Sequence, residues 1–169
     1  MTKKLFVLLL AIAPFMAFAQ NNTVAYVNAA EVFSLMPEIS DIENQLSKKQ
    51  EEIASTGEAL EAEYAKKVEE FQKSIDTASE STKADLQKQI SQIEERFQIF
   101  QQNSYTEMNE LRQKLLAPIQ EKISKAIKEV GDEKGYAYIF DISTQQSPIV
   151  YINDASVDAT SEVKAKLGI

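Results

Sequence analysis

The residues that come closest to reactive chemistry are carboxylate pairs. Glu51-Glu52 and Glu94-Glu95 could divide acid and base roles between them. Neighbours on a helix diverge by about 100°, so neither pair converges on one substrate atom. The chain has no Cys and no His. That excludes thiolate and imidazole metal sites, Cys nucleophiles, Ser-His-Asp triads and disulfides. Its glycines, Gly57, Gly131, Gly135 and Gly168, fit neither phosphate-cradling pattern. The composition therefore points away from an enzyme, and no metal or cofactor is expected. A formal charge of -8 argues against nucleic acid as a partner. With 44% hydrophobic residues, the chain can bury enough surface to fold. What it carries must be shape and contact, so the elements that present surface become the question.

The first segment reads as an address. Lys3 and Lys4 precede an apolar run from Leu5 to Phe18, and Ala17-Phe18-Ala19 has the small-x-small form of a cleavage site. The run is about 15 residues, short of the roughly 20 that a spanning helix needs. Residues 1–19 are expected to be a signal peptide cleaved after Ala19, which exports the protein. Loss of Lys3 and Lys4 takes the charge from -8 to -10. Without Cys, stability outside the cytoplasm must come from burial alone.

The middle, residues 38–129, reads as a helical hairpin. Ile39, Ile42, Leu46, Ile53, Leu60, Tyr64, Val68, Phe71 and Ile75 follow steps of three, four or seven. A second seam runs Leu86, Ile90, Ile93, Phe97, Phe100, Met108, Leu111, Leu115, Ile119, Ile123, Ile127. Facing residues of an antiparallel pair have a constant positional sum. Ile75 with Leu86, Phe71 with Ile90, Val68 with Ile93, Tyr64 with Phe97, Ile53 with Met108 and Leu46 with Leu115 all share the sum 161. An antiparallel coiled coil with its tip near 77–84 is expected, each arm about 60 Å long. The same sum pairs Gly57 with Ser104, a thin level and a candidate hinge. Pro118 lies in the second arm and is a further hinge candidate, because proline removes a helical hydrogen bond.

The ends, 20–37 and 130–169, read as one small β-containing body. Strands are expected at Thr23–Asn28, Tyr136–Asp141 and Ile149–Asn153, the last two joined by a hairpin loop over Ser143–Pro148. Short helices are expected at Ala29–Met36 and Ser161–Leu167. A body below about 70 residues without staples holds little stability alone. Tyr136, Tyr138 and Phe140 on one face and Ala137 and Ile139 on the other make its second strand apolar on both sides. That asks for further copies of the chain. Val24, Tyr26, Tyr138, Ile139, Phe140, Val150 and Tyr151 are the candidate interface residues.

The ordering resembles the Skp/OmpH family of periplasmic chaperones. The residues that carry the resemblance begin with Val24-Ala25-Tyr26-Val27-Asn28-Ala29-Ala30-Glu31-Val32-Phe33. They continue through the exit Leu115-Leu116-Ala117-Pro118-Ile119-Gln120-Glu121-Lys122-Ile123, the Gly135-Tyr136 strand entry and the close Asp158-Ala159-Thr160. The resemblance implies an α+β fold: a small β-barrel trimerisation body with one long coiled-coil tentacle per subunit, jellyfish-like. It implies a homotrimer that works without ATP. Such a holdase keeps unfolded outer-membrane β-barrel proteins from aggregating, in a cavity between the tentacles. Enterobacterial members are basic toward the tips, whereas here residues 73–88 carry three lysines against three acids. Charge therefore supports no membrane or lipid contact, and client contact falls to apolar surface. Ile99, Tyr105 and Leu116 lie off the seam and are the candidate client-binding residues. The alternative reading is an exported coiled-coil adaptor that docks on one folded envelope partner.

Overall fold

The structure is a computed structural model that describes residues 23–144, 147 and 149–169. The expected signal peptide, residues 1–19, lies outside them. The elements are β1 (Val24–Val27), α1 (Ala29–Ser34), α2 (Glu38–Ser74), α3 (Glu80–Lys134), β2 (Tyr138–Asp141), β3 (Val157–Asp158) and α4 (Thr160–Leu167). They divide into two compact units. Among the described residues, one comprises those up to Val32, from Thr23, with Ile123–Ile169, and the other comprises Phe33–Lys122.

In the first unit β1 is the middle strand of a parallel sheet ordered β2-β1-β3. Val24 pairs with Tyr138, Ala25 with Ile139 and Tyr26 with Phe140. On the other edge Ala25 pairs with Val157 and Tyr26 with Asp158. Alternation along β1 sends Ala25 and Val27 inward, where both are essentially inaccessible. Val32, Ile123, Ala126, Val130, Ala159 and Val163 complete this core. Gly131 has a packing reason: a β-carbon there would stand 3.4 Å from Ile139 Cδ1. The glycine thus lets β2 lie close on the helix. Helix α3 runs past Glu129, where the sequence placed the end of the hairpin, to Lys134. Gly135 stops it with φ of 68°, and the Tyr136 N–H donates to the Gly131 carbonyl at 3.1 Å. That is the Schellman closure, which places glycine just past a helix end.

The strand expected at Ile149–Asn153 does not form. Those residues are irregular and Val150 is fully exposed. The expected connection over Ser143–Pro148 falls partly outside the described residues. The third strand is instead Val157–Asp158, parallel to β1. Strand propensity is realised only where side chains pack on neighbours, and Val150 and Tyr151 stay exposed instead of packing on the sheet.

In the second unit α2 and α3 lie side by side and antiparallel. Lys122 pairs with Glu38, Lys49 with Glu107 at 2.8 Å and Arg96 with Glu63 at 3.0 Å. Their connection occupies residues 75–79, one helical turn before the midpoint the sequence suggested. Ser79 accepts the Thr82 N–H at 3.2 Å as an N-cap, so the polar stretch from Glu80 to Asp85 is helix. Pro37 stands at the N-cap of α2 and Pro118 inside α3. The seam is narrow: Ile42, Leu60, Ile93, Ser104 and Ile119 are buried, while Ile75 beside the turn is 47% exposed.

Candidate interaction surfaces

The pairing register of the sheet collects its outward residues. Val24 is opposite Tyr138 and Tyr26 opposite Phe140, all four on the face turned away from Ala25 and Val27. Tyr138 and Phe140 stack at 5.9 Å between ring centroids. Tyr138 is 65% exposed, and Val24 and Phe140 are exposed as well. Tyr26, in the middle of the face, is half-buried. Ile139 points the other way and is half-buried against Gly131. Val150 and Tyr151 belong to a separate exposed apolar segment with Ile152.

Polar residues at the strand and helix ends, among them Asp158 and Thr160 of the chain's close, hold this unit together. The Asn28 N–H donates to Thr160 Oγ1 at 3.0 Å, and the Thr160 N–H donates to Asp158 Oδ1 at 2.9 Å. Thr160 is buried. Asn28 also caps α1, its Oδ1 accepting the Glu31 N–H at 3.1 Å. Asp141 Oδ1 accepts from the Ala29 and Ser143 backbones. The signal available in sequence was the order Asn-x-x-Glu at the end of a strand, a helix start of the capping-box kind.

On the helix pair, the three client-binding candidates separate. Tyr105 and Leu116 are eleven positions apart, about 20° on a helix, and so share one stripe of α3 with Glu94 and Gln98. Ile99 lies about 120° from that stripe. Ile99 helps line a groove of about 460 Å³ with Ile53, Thr56, Leu60, Phe100 and Ser104. Across the seam a second groove, of about 440 Å³, is lined by Leu60, Glu61, Tyr64, Ile93, Glu94, Phe97 and Gln98. Tyr105 is 74% and Ile99 52% exposed, whereas Leu116 is half-buried. No single flat surface touches all three.

The hinge candidates are also placed. Ser104 is buried, and the residue that meets Gly57 is Phe100, whose Cε1 lies 3.5 Å from where a β-carbon would stand. A knob set between two levels of the opposite helix fills the space that a level-by-level sum left empty. Pro118 is exposed and continues α3 without ending it.

Ion pairs flank the seam. The hydrogen bond from Lys122 holds Glu38 below the ordinary carboxylate range, and burial only partly opposes it. The bond to Glu107 pushes Lys49 above the ordinary lysine value. In the first unit Lys166 is pushed up by Glu133 and Glu129. These side chains are partly exposed and screened by water, so each pair adds little by itself. Among the described residues no cluster of acids could hold a metal ion. No described helix is long and apolar enough to cross a membrane.

Comparison with known proteins adds relatives to this geometry. The family described as "Outer membrane protein (OmpH-like)" matches residues 23–167. A chaperone protein Skp from Yersinia enterocolitica is 28% identical over 151 residues, covering 87% of this chain and 87% of its own. A chaperone protein Skp from Photorhabdus luminescens is 30% identical over 124 residues, covering 71% of this chain and 73% of its own. One from Pectobacterium atrosepticum is 25% identical over 146 residues, with 84% and 83% covered.

Proposed function

The chain belongs to the OmpH-like family, and on that premise we propose that it is a periplasmic holdase chaperone for unfolded outer-membrane β-barrel proteins. It is not an enzyme; relatives across most of its length are named as chaperones. In this proposal the signal peptide is cleaved after Ala19 and the mature chain assembles as a homotrimer. The sheets of three subunits join into a barrel-like body through Val24, Tyr26, Tyr138, Ile139, Phe140, Val150 and Tyr151. The α2–α3 pairs stand as tentacles around a cavity, hinged near Gly57, Ser104 and Pro118. Clients touch the tentacle flanks, with Ile99, Tyr105 and Leu116 as contact residues, and no nucleotide is consumed.

The observation that carries this reading is the antiparallel helix pair with a shallow apolar groove on each flank. Such grooves offer weak, distributed contact, which suits a client that must later leave. The outward sheet face supplies the reason for assembly, since exposed aromatic patches mark interaction sites. The test is client breadth. The mature protein should suppress aggregation of several urea-unfolded barrel proteins at stoichiometric amounts without nucleotide. Binding to one folded envelope protein, with no effect on unfolded chains, would favour the adaptor reading instead.

A further inference from the structure

The two grooves along the helix pair differ in their charges. The groove containing Ile99 has rims that are internally neutralised. Lys49 pairs with both Glu107 and Glu52, and Arg96 pairs with Glu63. A visiting charge finds partners there already engaged. The groove across the seam is built from Leu60, Tyr64, Ile93 and Phe97, and its rim charges are Glu61 and Glu94. Among the described residues neither acid pairs with a cation. Glu94 accepts a hydrogen bond from the Tyr64 hydroxyl at 3.2 Å, which holds its carboxylate beside the apolar floor. No basic residue lines this groove.

We propose that the Leu60–Tyr64–Ile93–Phe97 groove is a client subsite that takes an aromatic or bulky aliphatic side chain flanked by Lys or Arg in an extended, unfolded segment. The inference rests on the chaperone reading above and names the kind of segment that reading leaves open. Its volume, about 440 Å³, lies in the lower part of the range for ligand sites, about 300–1,000 Å³. That admits one or two large side chains. Burial of an apolar side chain supplies the attraction. The unpaired acids then select among segments through charge complementarity, at short range and in a salt-dependent way.

The experiment uses the full mature protein and two labelled extended peptides that differ only in Lys or Glu on either side of a central Phe. Anisotropy titration at low salt should favour the Lys peptide by about fivefold, from two exposed charge contacts. The preference should shrink as salt is raised. The double variant Glu61→Gln/Glu94→Gln should bring the two affinities within about twofold of each other. Glu52→Gln/Glu63→Gln removes the same charge from the other flank and should leave the preference in place. Equal affinities in the unsubstituted protein, or equal losses in the two double variants, would overturn the subsite. A change of solution mass in Glu61→Gln/Glu94→Gln would assign the groove to subunit contact and also overturn it. Aggregation suppression is measured on the same samples. If it holds while the peptide preference is absent, the subsite fails and the chaperone reading stands. If it is absent, the chaperone reading fails by itself.

Discussion

The ring of Phe100 lies against the backbone of Gly57, its Cε1 3.5 Å from where a β-carbon would stand. That spacing is ordinary van der Waals contact, so alanine fits without moving the ring. Gly57→Ala should therefore stabilise the mature protein by about 0.5–1 kcal/mol, the usual helical difference between the two residues. A urea titration would read this as a higher midpoint at unchanged slope. If Gly57 is the hinge proposed above, spin-label distances between tentacle tips should also narrow in this variant. A lower midpoint would mean that Phe100 packs more tightly than the contact implies.

The separation of Tyr105 from Ile99 makes the client contacts testable one by one. Tyr105 shares its stripe with Glu94 and Gln98 of the proposed subsite, whereas Ile99 lines the ion-paired groove. Tyr105→Ser should weaken aggregation suppression severalfold, and Ile99→Ser should weaken it by a smaller factor. Light scattering during dilution of an unfolded barrel protein measures both. The opposite ranking would place clients on the Ile99 flank.

The stacked pair Tyr138 and Phe140 should govern assembly. Tyr138 is 65% exposed, so Tyr138→Lys costs the isolated chain little beyond its stack on Phe140, about 0.5–1.5 kcal/mol. It would bury a lysine in any subunit contact, and an unpaired buried charge is strongly unfavourable. Analytical ultracentrifugation should show the variant dissociating at concentrations where the parent protein stays assembled. Unchanged assembly would remove this face from the interface.

Acid and base should act from outside the neutral range. Glu38 has its folded value lowered by the Lys122 hydrogen bond. Its contribution is present above the unfolded value, about 4.3, and is lost as pH falls through the lower folded value. Lys49 and Lys166 have folded values raised by their glutamate partners. Their contributions are complete below the unfolded value, about 10.4, and are lost as pH rises through the higher folded values. With no His in the chain, Tm should be flat from about pH 5.5 to 9. A melting series across pH would reveal a step inside that window if the account is wrong.

The helical parts were legible because their signal is periodic. Ile42, Leu60, Ile93 and Ile119 sit on the seam the spacing marked, and all are buried. The turn was placed late because Glu80–Asp85 looks like a loop by composition, while Ser79 caps it as helix. The β part was harder to read. Ile149–Asn153 has strand composition, but Val150 and Tyr151 stay exposed instead of packing on the sheet, and Val157–Asp158 is too short to announce itself. On the surfaces, exposed Tyr105 and Ile99 could be named from sequence. That they lie on different flanks follows from the 3.6-residue turn and was available there too. The contrast between paired and unpaired acids around the two grooves depends on side-chain geometry across the helix pair, which no linear spacing displays.

A self-assembled chaperone that holds an unfolded barrel protein has a definite stoichiometry. The most direct test is the solution mass of the mature protein by light scattering, first alone and then with a urea-diluted outer-membrane barrel. Three copies alone and a soluble complex of three copies with one client are expected. A stable monomer, or a client that precipitates at the rate it shows by itself, would contradict that expectation.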